Sequence, residues 1–239
     1  SIAAHGDRET FWNRNGMYPQ MGYDGFWGIE KFDQKDMLKM SSNIGLGLSD
    51  ESFFQQCAIK MEALKEPYMI SLITLTSHAP FVIPDGVKKT RFDGVENMAV
   101  RRYLESISYM DGAIGDFVKA LDDNGTLNRS LLVIYGDHEG LNKYYGNLEE
   151  EWDNRGNLPL IICSEGLPAE IYESCGGQID IMPTLMHIMG EETEGKKLMG
   201  QNLLVINNNE EDERYVSSKE RLLSEIVIKS LTSMPVSKD

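Results

Sequence analysis

Short apolar runs alternate along the chain with longer amphipathic and polar stretches, and three of the runs predict β-strands. They cover residues 68–76, 131–135 and 158–164. The 131–135 run is continuous and ends at a glycine, a pattern typical of a strand that is buried on both faces of a parallel sheet. Residues 1–4 resemble the end of a further strand whose beginning is missing. We therefore expect the chain to be a fragment of a longer protein.

Apolar residues at helical spacing predict helices between these strands. One begins near Ser49 and stops before Pro67. A longer one covers about 96–123 and ends at a left-handed cap formed by Asn124-Gly125. Its predicted apolar stripe consists of Tyr103, Ile107, Met110, Ile114, Phe117 and Leu121. Pro183 and Gly190 frame a short third helix. Strands that alternate with helices in this way predict an α/β fold.

A change in polarity separates the last 33 residues from the rest of the chain. Residues 207–213 are polar and acidic, and spaced apolar residues between 222 and 231 predict a terminal helix that docks on the domain. We expect a main domain at 1–206, followed by the linker and helix at 207–239. The 141–157 segment is a polar, aromatic loop that is long enough to form a functional lid or rim.

Composition limits the possible partners. The formal net charge of −15 argues against nucleic acid or an anionic membrane surface as a non-specific partner. No stretch approaches the ~20 apolar residues that a membrane-spanning helix requires. The three cysteines have no CxxC spacing, so neither a disulfide framework nor a zinc finger is indicated, and cysteine usage does not fix the compartment.

Residues with metal-binding and acid–base chemistry follow the predicted strands. Asp137 and His138 come directly after the 131–135 strand, and His78 comes directly after another. In open α/β sheets, ligands bind outside the carboxyl ends of the strands. A carboxylate and an imidazole together suit a divalent metal such as Zn or Mn. The other interpretation is a turn in which Asp137 caps the next segment and His138 is incidental.

Further candidates follow the first strand. His5 and Asp7 are separated only by Gly6, and Arg14 offers a planar guanidinium that matches a phosphate or carboxylate. A core Trp12 beside a surface Arg14 is the alternative. His187 lies in a largely apolar helix and is expected to be structural, and Asp180 is expected near the N-cap of that helix.

Four blocks occur in order along the chain: HGDRETFWNRN, SLITLTSHAPF, the helix before LLVIYGDHEG, and GGQIDIMPTLMHIMG. Together they resemble the catalytic domain of lipoteichoic acid synthases and related phosphoglycerol transferases, in the sulfatase-like branch of the alkaline phosphatase superfamily. The resemblance runs from Ser1 to roughly Leu204. It implies a mostly parallel central sheet with helices on both faces, from which the N-terminal part of the domain is missing.

The resemblance also implies a role for individual residues. Asp137 and His138 match the metal-ligand pair after the central strand, and the family's metal is usually Mn²⁺, with Mg²⁺ or Zn²⁺ in relatives. His78 matches a histidine that contacts the phosphoglycerol group, and His5 matches a further active-site histidine. The residues that match the substrate pocket are Asp7, Trp12, Arg14 and His78.

The implied activity is metal-dependent transfer of a phosphoglycerol group from an anionic glycerophospholipid to a growing glycerol-phosphate polymer, through a covalent intermediate. His5 or His78 would protonate the leaving oxygen. The parent protein would be anchored in the cell membrane by upstream helices, with its catalytic domain outside. The family's nucleophile is a Thr upstream of the HGD block, and Thr74 and Thr76 do not match its context. We therefore expect this chain to bind metal weakly and to be inactive alone.

Two other functions stay open. One is a sulfatase, phosphodiesterase or phosphoethanolamine transferase of the same fold, since a sulfatase differs by an upstream Cys or Ser that is modified to formylglycine. The other is a non-catalytic module that binds glycerol-phosphate polymer. Glu139 stands where better-known members carry an aromatic residue, which leaves the fine substrate specificity open.

Overall fold

Seven strands and four α-helices occur in the part of the chain that the computed structural model describes, which is residues 1–33, 43–44, 47–138, 158–172, 176–193 and 195–205. The strands are β1 (Ile2–His5), β2 (Gly25–Trp27), β3 (Asn43–Ile44), β4 (Gly47–Leu48), β5 (Ile70–Ile73), β6 (Leu132–Tyr135) and β7 (Leu160–Cys163). The helices are α1 (Arg14–Gln20), α2 (Asp50–Glu62), α3 (Met98–Asp123) and α4 (Ile181–Ile188). The chain forms two units, Ser1–Leu167 and Pro168–Asp239.

The first unit is built on a parallel sheet with the strand order β2-β1-β5. In the register of β1 and β5, Ile2 pairs with Ile70 and His5 pairs with Ile73. Ala3 and Ala4 of the central strand are completely buried, because their small side chains allow the core to pack directly against the sheet. The strands predicted at 1–4 and 68–76 are confirmed, and their carboxyl ends meet at one edge.

Helices α2 and α3 form one aromatic core with this sheet. Phe54 of α2 stacks on Phe117 of α3 with ring centroids 4.8 Å apart, and both belong to the cluster that contains Ala4. Ser49 caps α2, since its hydroxyl accepts the Ser52 N–H at 3.3 Å. The predicted start of α2 is therefore confirmed.

The buried face of α3 differs from the predicted stripe. Its buried positions are Val100, Glu105, Ser106, Tyr109, Ala113, Phe117 and Leu121. Four predicted members are only half-buried: Tyr103, Ile107, Met110 and Ile114. The difference arises because polar partners allow Glu105 and Tyr109 to be buried. Lys88 Nζ lies 3.0 Å from the Glu105 carboxylate, and the Tyr109 hydroxyl donates to Glu51 at 3.2 Å.

The strand predicted at 131–135 is present as β6, but its environment differs from the prediction. β6 is half-buried rather than buried on both faces. Its partner among the described strands is β7, which runs antiparallel to it, with Leu132 opposite Cys163 and Tyr135 opposite Leu160. The prediction of a parallel pairing here is wrong, because an apolar run does not encode the direction of its neighbour.

In the second unit, α4 contains Pro183 in its first turn, and Gly190 adopts φ +73° just past its end, as predicted. His187 is exposed, so it is not a core residue of this helix. The proposed linker and terminal helix at 207–239 lie outside the described residues, as does the 141–157 loop, and the domain boundary at 206 stays a prediction. Within the described ranges, no helix is long and apolar enough to cross a membrane.

Candidate functional site

His5 lies at the carboxyl end of β1 with its imidazole fully buried. Its Nδ1 lies 3.0 Å from the carbonyl oxygen of Ile73 on the neighbouring strand. A carbonyl only accepts hydrogen bonds, so Nδ1 carries the proton and Nε2 presents a lone pair. Burial lowers the pKa of His5, and the nearby Arg14 guanidinium lowers it further. His5 is therefore neutral at physiological pH, and its buried Nε2 has no hydrogen-bond partner among the described residues.

Arg14 is the first residue of α1, and its guanidinium is buried beside His5. The guanidinium carbon lies 5.0 Å from the ring centroid of Trp12 and 5.7 Å from that of Phe11. Burial lowers the pKa of Arg14, whereas Tyr18 and Asp7 raise it. Nη1 is buried with no hydrogen-bond partner in the described part of the chain. A buried, unpaired donor on a cation is costly, so this geometry favours an anionic ligand.

The connection between β1 and α1 has an unusual backbone conformation. Trp12 is exposed and adopts φ +54°, and Asn13 adopts φ +55°. Positive φ is rare for a bulky side chain and marks a locally strained backbone. Asp7 is half-buried, and its Oδ1 accepts the Arg8 N–H at 2.7 Å. Asp7, Trp12 and Arg14 thus lie around the same short connection.

His78 lies in the turn after β5 and is exposed. Its Nδ1 donates to the Ala79 carbonyl at 2.9 Å, and its backbone N–H donates to the Leu75 carbonyl at 3.1 Å. His78 is close enough to lower the pKa of His5 by charge repulsion. The sheet therefore brings His5, Asp7, Arg14 and His78 together at one edge.

Asp137 and His138 follow β6, and both are exposed. His138 Nε2 lies 3.8 Å from Asp137 Oδ1. The carboxylate and imidazole are the donor types that Mn²⁺ and Zn²⁺ accept. Within the described ranges, however, no group of three or more His, Cys, Asp or Glu side chains is arranged to hold a metal. The pair supplies two donors of the right chemistry but not a complete ligand set.

Sequence reasoning did not single out Asp50, which directly follows the predicted helix start at Ser49. Asp50 is buried and accepts the backbone N–H groups of Leu75 and Thr76. Thr76 is buried as well, and its hydroxyl accepts the Asp50 N–H at 2.9 Å. An acidic residue in a first helical turn is common on the surface, so nothing in the local pattern signalled burial.

Burial of His5 predicts a dependence of stability on pH. The fold lowers the pKa of His5 from its ordinary 6.5, so the unfolded chain binds the proton first as the pH falls. This contribution is fully present above about pH 6.5 and is lost as the pH falls from there toward the folded pKa. We expect the melting temperature to fall more between about pH 7.5 and 5.5 in the wild type than in His5→Gln.

Thermal melts of both proteins across this range test the prediction. His187→Gln is the control, because His187 is exposed and its removal should leave the wild-type pH dependence. Equal slopes for the wild type and His5→Gln would contradict the assignment of a neutral, buried imidazole.

Comparison with known proteins identifies the family. The Sulfatase family model matches residues 1–191. Lipoteichoic acid synthase 1 of Bacillus subtilis is 33% identical over 81% of this chain and 31% of its own length. Lipoteichoic acid synthase of Staphylococcus aureus is 28% identical over 92% of this chain and 36% of its own length. The chain spans about a third of the length of these curated relatives.

The fold agrees with this result. The crystal structure of the lipoteichoic acid synthase LtaP from Listeria monocytogenes superposes with a TM-score of 0.71 at 26% identity, over 85% of this chain and 53% of that one. The family model and the fold therefore agree on the family. This chain belongs to the Sulfatase family, and its sequence and fold are similar to those of lipoteichoic acid synthases.

Proposed function

We propose that the protein containing this chain transfers a phosphoglycerol group from an anionic glycerophospholipid to a glycerol-phosphate polymer. The observation that carries the proposal is the pair of buried, unpartnered polar atoms at one sheet edge, Arg14 Nη1 and His5 Nε2. The guanidinium is a donor and the neutral imidazole nitrogen is an acceptor. Together they suit a ligand that carries both an anionic phosphate and a hydroxyl group, which is the chemistry of phosphoglycerol.

The two histidines take different roles in this proposal. Neutral His5, with its Nε2 lone pair, accepts a hydrogen bond from a glycerol hydroxyl and is not suited to donate a proton. The proton donor is therefore His78, whose Nδ1–H is held by the Ala79 carbonyl. His78 is exposed, so Nε2 can take up a second proton, and the resulting imidazolium delivers that proton to the leaving oxygen. Arg14 binds the phosphate and stabilises the negative charge that increases during transfer.

We further propose that Asp137 and His138 provide two ligands of a divalent cation, preferably Mn²⁺, with Mg²⁺ or Zn²⁺ as alternatives. When bound, such a cation lowers the pKa of an attacking hydroxyl and neutralises phosphate charge. The nucleophilic Thr and a further acidic ligand belong, in this proposal, to residues before Ser1, so the 239-residue chain is inactive alone. The parent protein is anchored in the cell membrane with this domain on the outer side.

Metal binding by the isolated chain provides a direct measurement. We expect Mn²⁺ to bind weakly, because the described residues supply this pair and no larger group of ligands, and its binding to be lost in Asp137→Asn with His138→Gln. Free Mn²⁺ measured by electron paramagnetic resonance gives the affinity. The matched control is His187→Gln with Glu191→Gln, an imidazole and a carboxylate that line a cleft of the second unit. Equal loss in both double variants would contradict a specific site.

The transfer reaction is tested with the longer protein, comprising this chain and the segment before it, mixed with vesicles that contain a lipid with a phosphoglycerol headgroup. Transfer should release diacylglycerol and build polymer, and His78→Ala should lower the rate by about 100-fold if His78 is the general acid. Release of free glycerol phosphate without polymer would favour a phosphodiesterase. Cleavage of an aryl sulfate with no reaction on the lipid would overturn the proposal in favour of a sulfatase.

A further inference from the structure

The segment of residues 47–50 contacts the chain just after both strands that lead to the histidines, β1 and β5. On one side, the Leu48 N–H donates to the carbonyl of Gly6 at 2.8 Å. Gly6 is the single residue between His5 and Asp7. Gly47 approaches the same carbonyl so closely that a β-carbon there would overlap the Gly6 oxygen. This contact fixes the chain immediately after β1.

On the other side, Asp50 holds the chain immediately after β5. Its Oδ1 accepts the Leu75 N–H at 2.7 Å and the Thr76 N–H at 3.2 Å. Its own N–H donates to the Thr76 hydroxyl at 2.9 Å. The Leu75 carbonyl in turn accepts the His78 N–H at 3.1 Å. Asp50 is thus connected through Leu75 to the turn that contains His78.

Helix capping does not account for Asp50. Ser49 already caps α2 through its hydroxyl. Asp50 is only 1% exposed, so it is not one of the solvent-exposed acidic residues that are common in the first turn of a helix. Burial raises its pKa to about 6, against the opposing effect of the backbone donors. The fold therefore keeps a carboxylate at a costly position where its contacts are with the strand end.

We propose that residues 47–50 are a positioning element that sets the separation of His5 and His78, with Asp50 as the positioning residue for the His78 turn. The proposal rests on the proposed function only in naming the reaction that it affects. Asp50 is not a catalytic residue, since its contacts are with backbone and with Thr76. Its effect reaches the substrate through the geometry of two side chains that it does not touch.

The second unit contains a matched control. Asp180 is 3% exposed and accepts the N–H groups of Gly177 at 2.9 Å and Gln201 at 2.6 Å. The buried Thr184 hydroxyl accepts the Leu203 N–H at 3.0 Å. Asp180 and Thr184 therefore repeat the chemistry of Asp50 and Thr76, a buried carboxylate and hydroxyl that tie backbone N–H groups, in a unit that does not contain His5 or His78.

The positioning effect is measured on the 239-residue chain by NMR of its four histidines, with no substrate present. Asp50→Asn keeps the size of the side chain but replaces one acceptor oxygen with a donor that faces backbone N–H groups. We expect the imidazole resonances of His5 and His78 to shift in this variant. In Asp180→Asn they should stay at their wild-type positions. Wild-type His5 and His78 resonances in folded Asp50→Asn would overturn the proposal.

A second variant covers the case in which Asp50→Asn does not fold. Thr76→Val removes the hydroxyl that accepts the Asp50 N–H, and Thr184→Val is its control. We expect Thr76→Val to shift the His78 resonances and Thr184→Val to leave them unchanged. Equal behaviour of the two valine variants would reject a positioning role.

Activity of the longer protein separates this inference from the proposed function. A displacement of catalytic groups by about 1 Å lowers the reaction rate on the order of 100-fold, so we expect kcat/KM of Asp50→Asn to fall by about that factor. The kcat/KM of Asp180→Asn should stay within about threefold of the wild-type value. Shifted resonances in a protein whose wild type does not transfer phosphoglycerol would leave the positioning role intact and reject the proposed reaction. Normal transfer by Asp50→Asn would reject the positioning role and leave the reaction intact.

Discussion

Replacing Arg14 by glutamine is expected to weaken binding of glycerol phosphate to this chain by about 10- to 100-fold, because a hydrogen bond to a charged group contributes roughly 1.5–3 kcal/mol. Arg14 presents a buried Nη1 with no hydrogen-bond partner among the described residues. The fold has therefore already removed water from this donor, and a bound phosphate would supply the missing acceptor. Glutamine keeps polarity but removes the charge and the planar fork. Titration calorimetry with glycerol phosphate measures the change.

Two further variants test whether the affinity for glycerol phosphate depends on the charge of Arg14 or on the planar geometry of its guanidinium. Arg14→Lys retains the charge without bidentate geometry, so its affinity should lie between the wild type and Arg14→Gln. Arg8→Gln removes an exposed arginine from the same connection and should change affinity by less than about threefold, as expected for a screened surface charge. If Arg8→Gln and Arg14→Gln weaken binding equally, net charge rather than the buried guanidinium attracts the ligand.

Truncating Phe53 to alanine is expected to lower the free energy of unfolding by about 3–5 kcal/mol, the usual cost of removing a large aromatic side chain from a core. Phe53 is 1% exposed, and its ring packs against Phe32 at 5.4 Å and Phe54 at 5.6 Å between centroids. The cavity would open in the cluster of buried side chains that also contains Ala4 of β1.

Denaturant unfolding followed by circular dichroism measures this loss. Ile59→Ala is the control, because Ile59 lies on the same helix but is 68% exposed, and it should cost less than about 0.5 kcal/mol. A loss below about 1.5 kcal/mol for Phe53→Ala would mean that the core relaxes to fill the space, and that α2 does not rigidly support the sheet.

The local sequence pattern correctly predicted features that depend on the preferences of single residues. The Ser49 cap, the end of α3 at Gly125 with φ +71°, and Gly190 with φ +73° all follow from the preferences of single residues. The order of the four sequence blocks identified the family, and the matched family model confirms it. The pattern did not predict burial that depends on a distant partner. Glu105, for example, is buried because its carboxylate pairs with Lys88.

The sequence alone determined the α/β class, the family, and the placement of candidate side chains immediately after strands, because strand ends, caps and motif order are local properties of the chain. Three features depend on the three-dimensional fold: the antiparallel pairing of β6, the neutral state of His5, whose Nε2 has no partner among the described residues, and the burial of Asp50 against the chain after β5. Each of these depends on a neighbour that is distant in sequence, through a hydrogen bond or through loss of water. A linear pattern contains no information about which distant backbone group will be that neighbour.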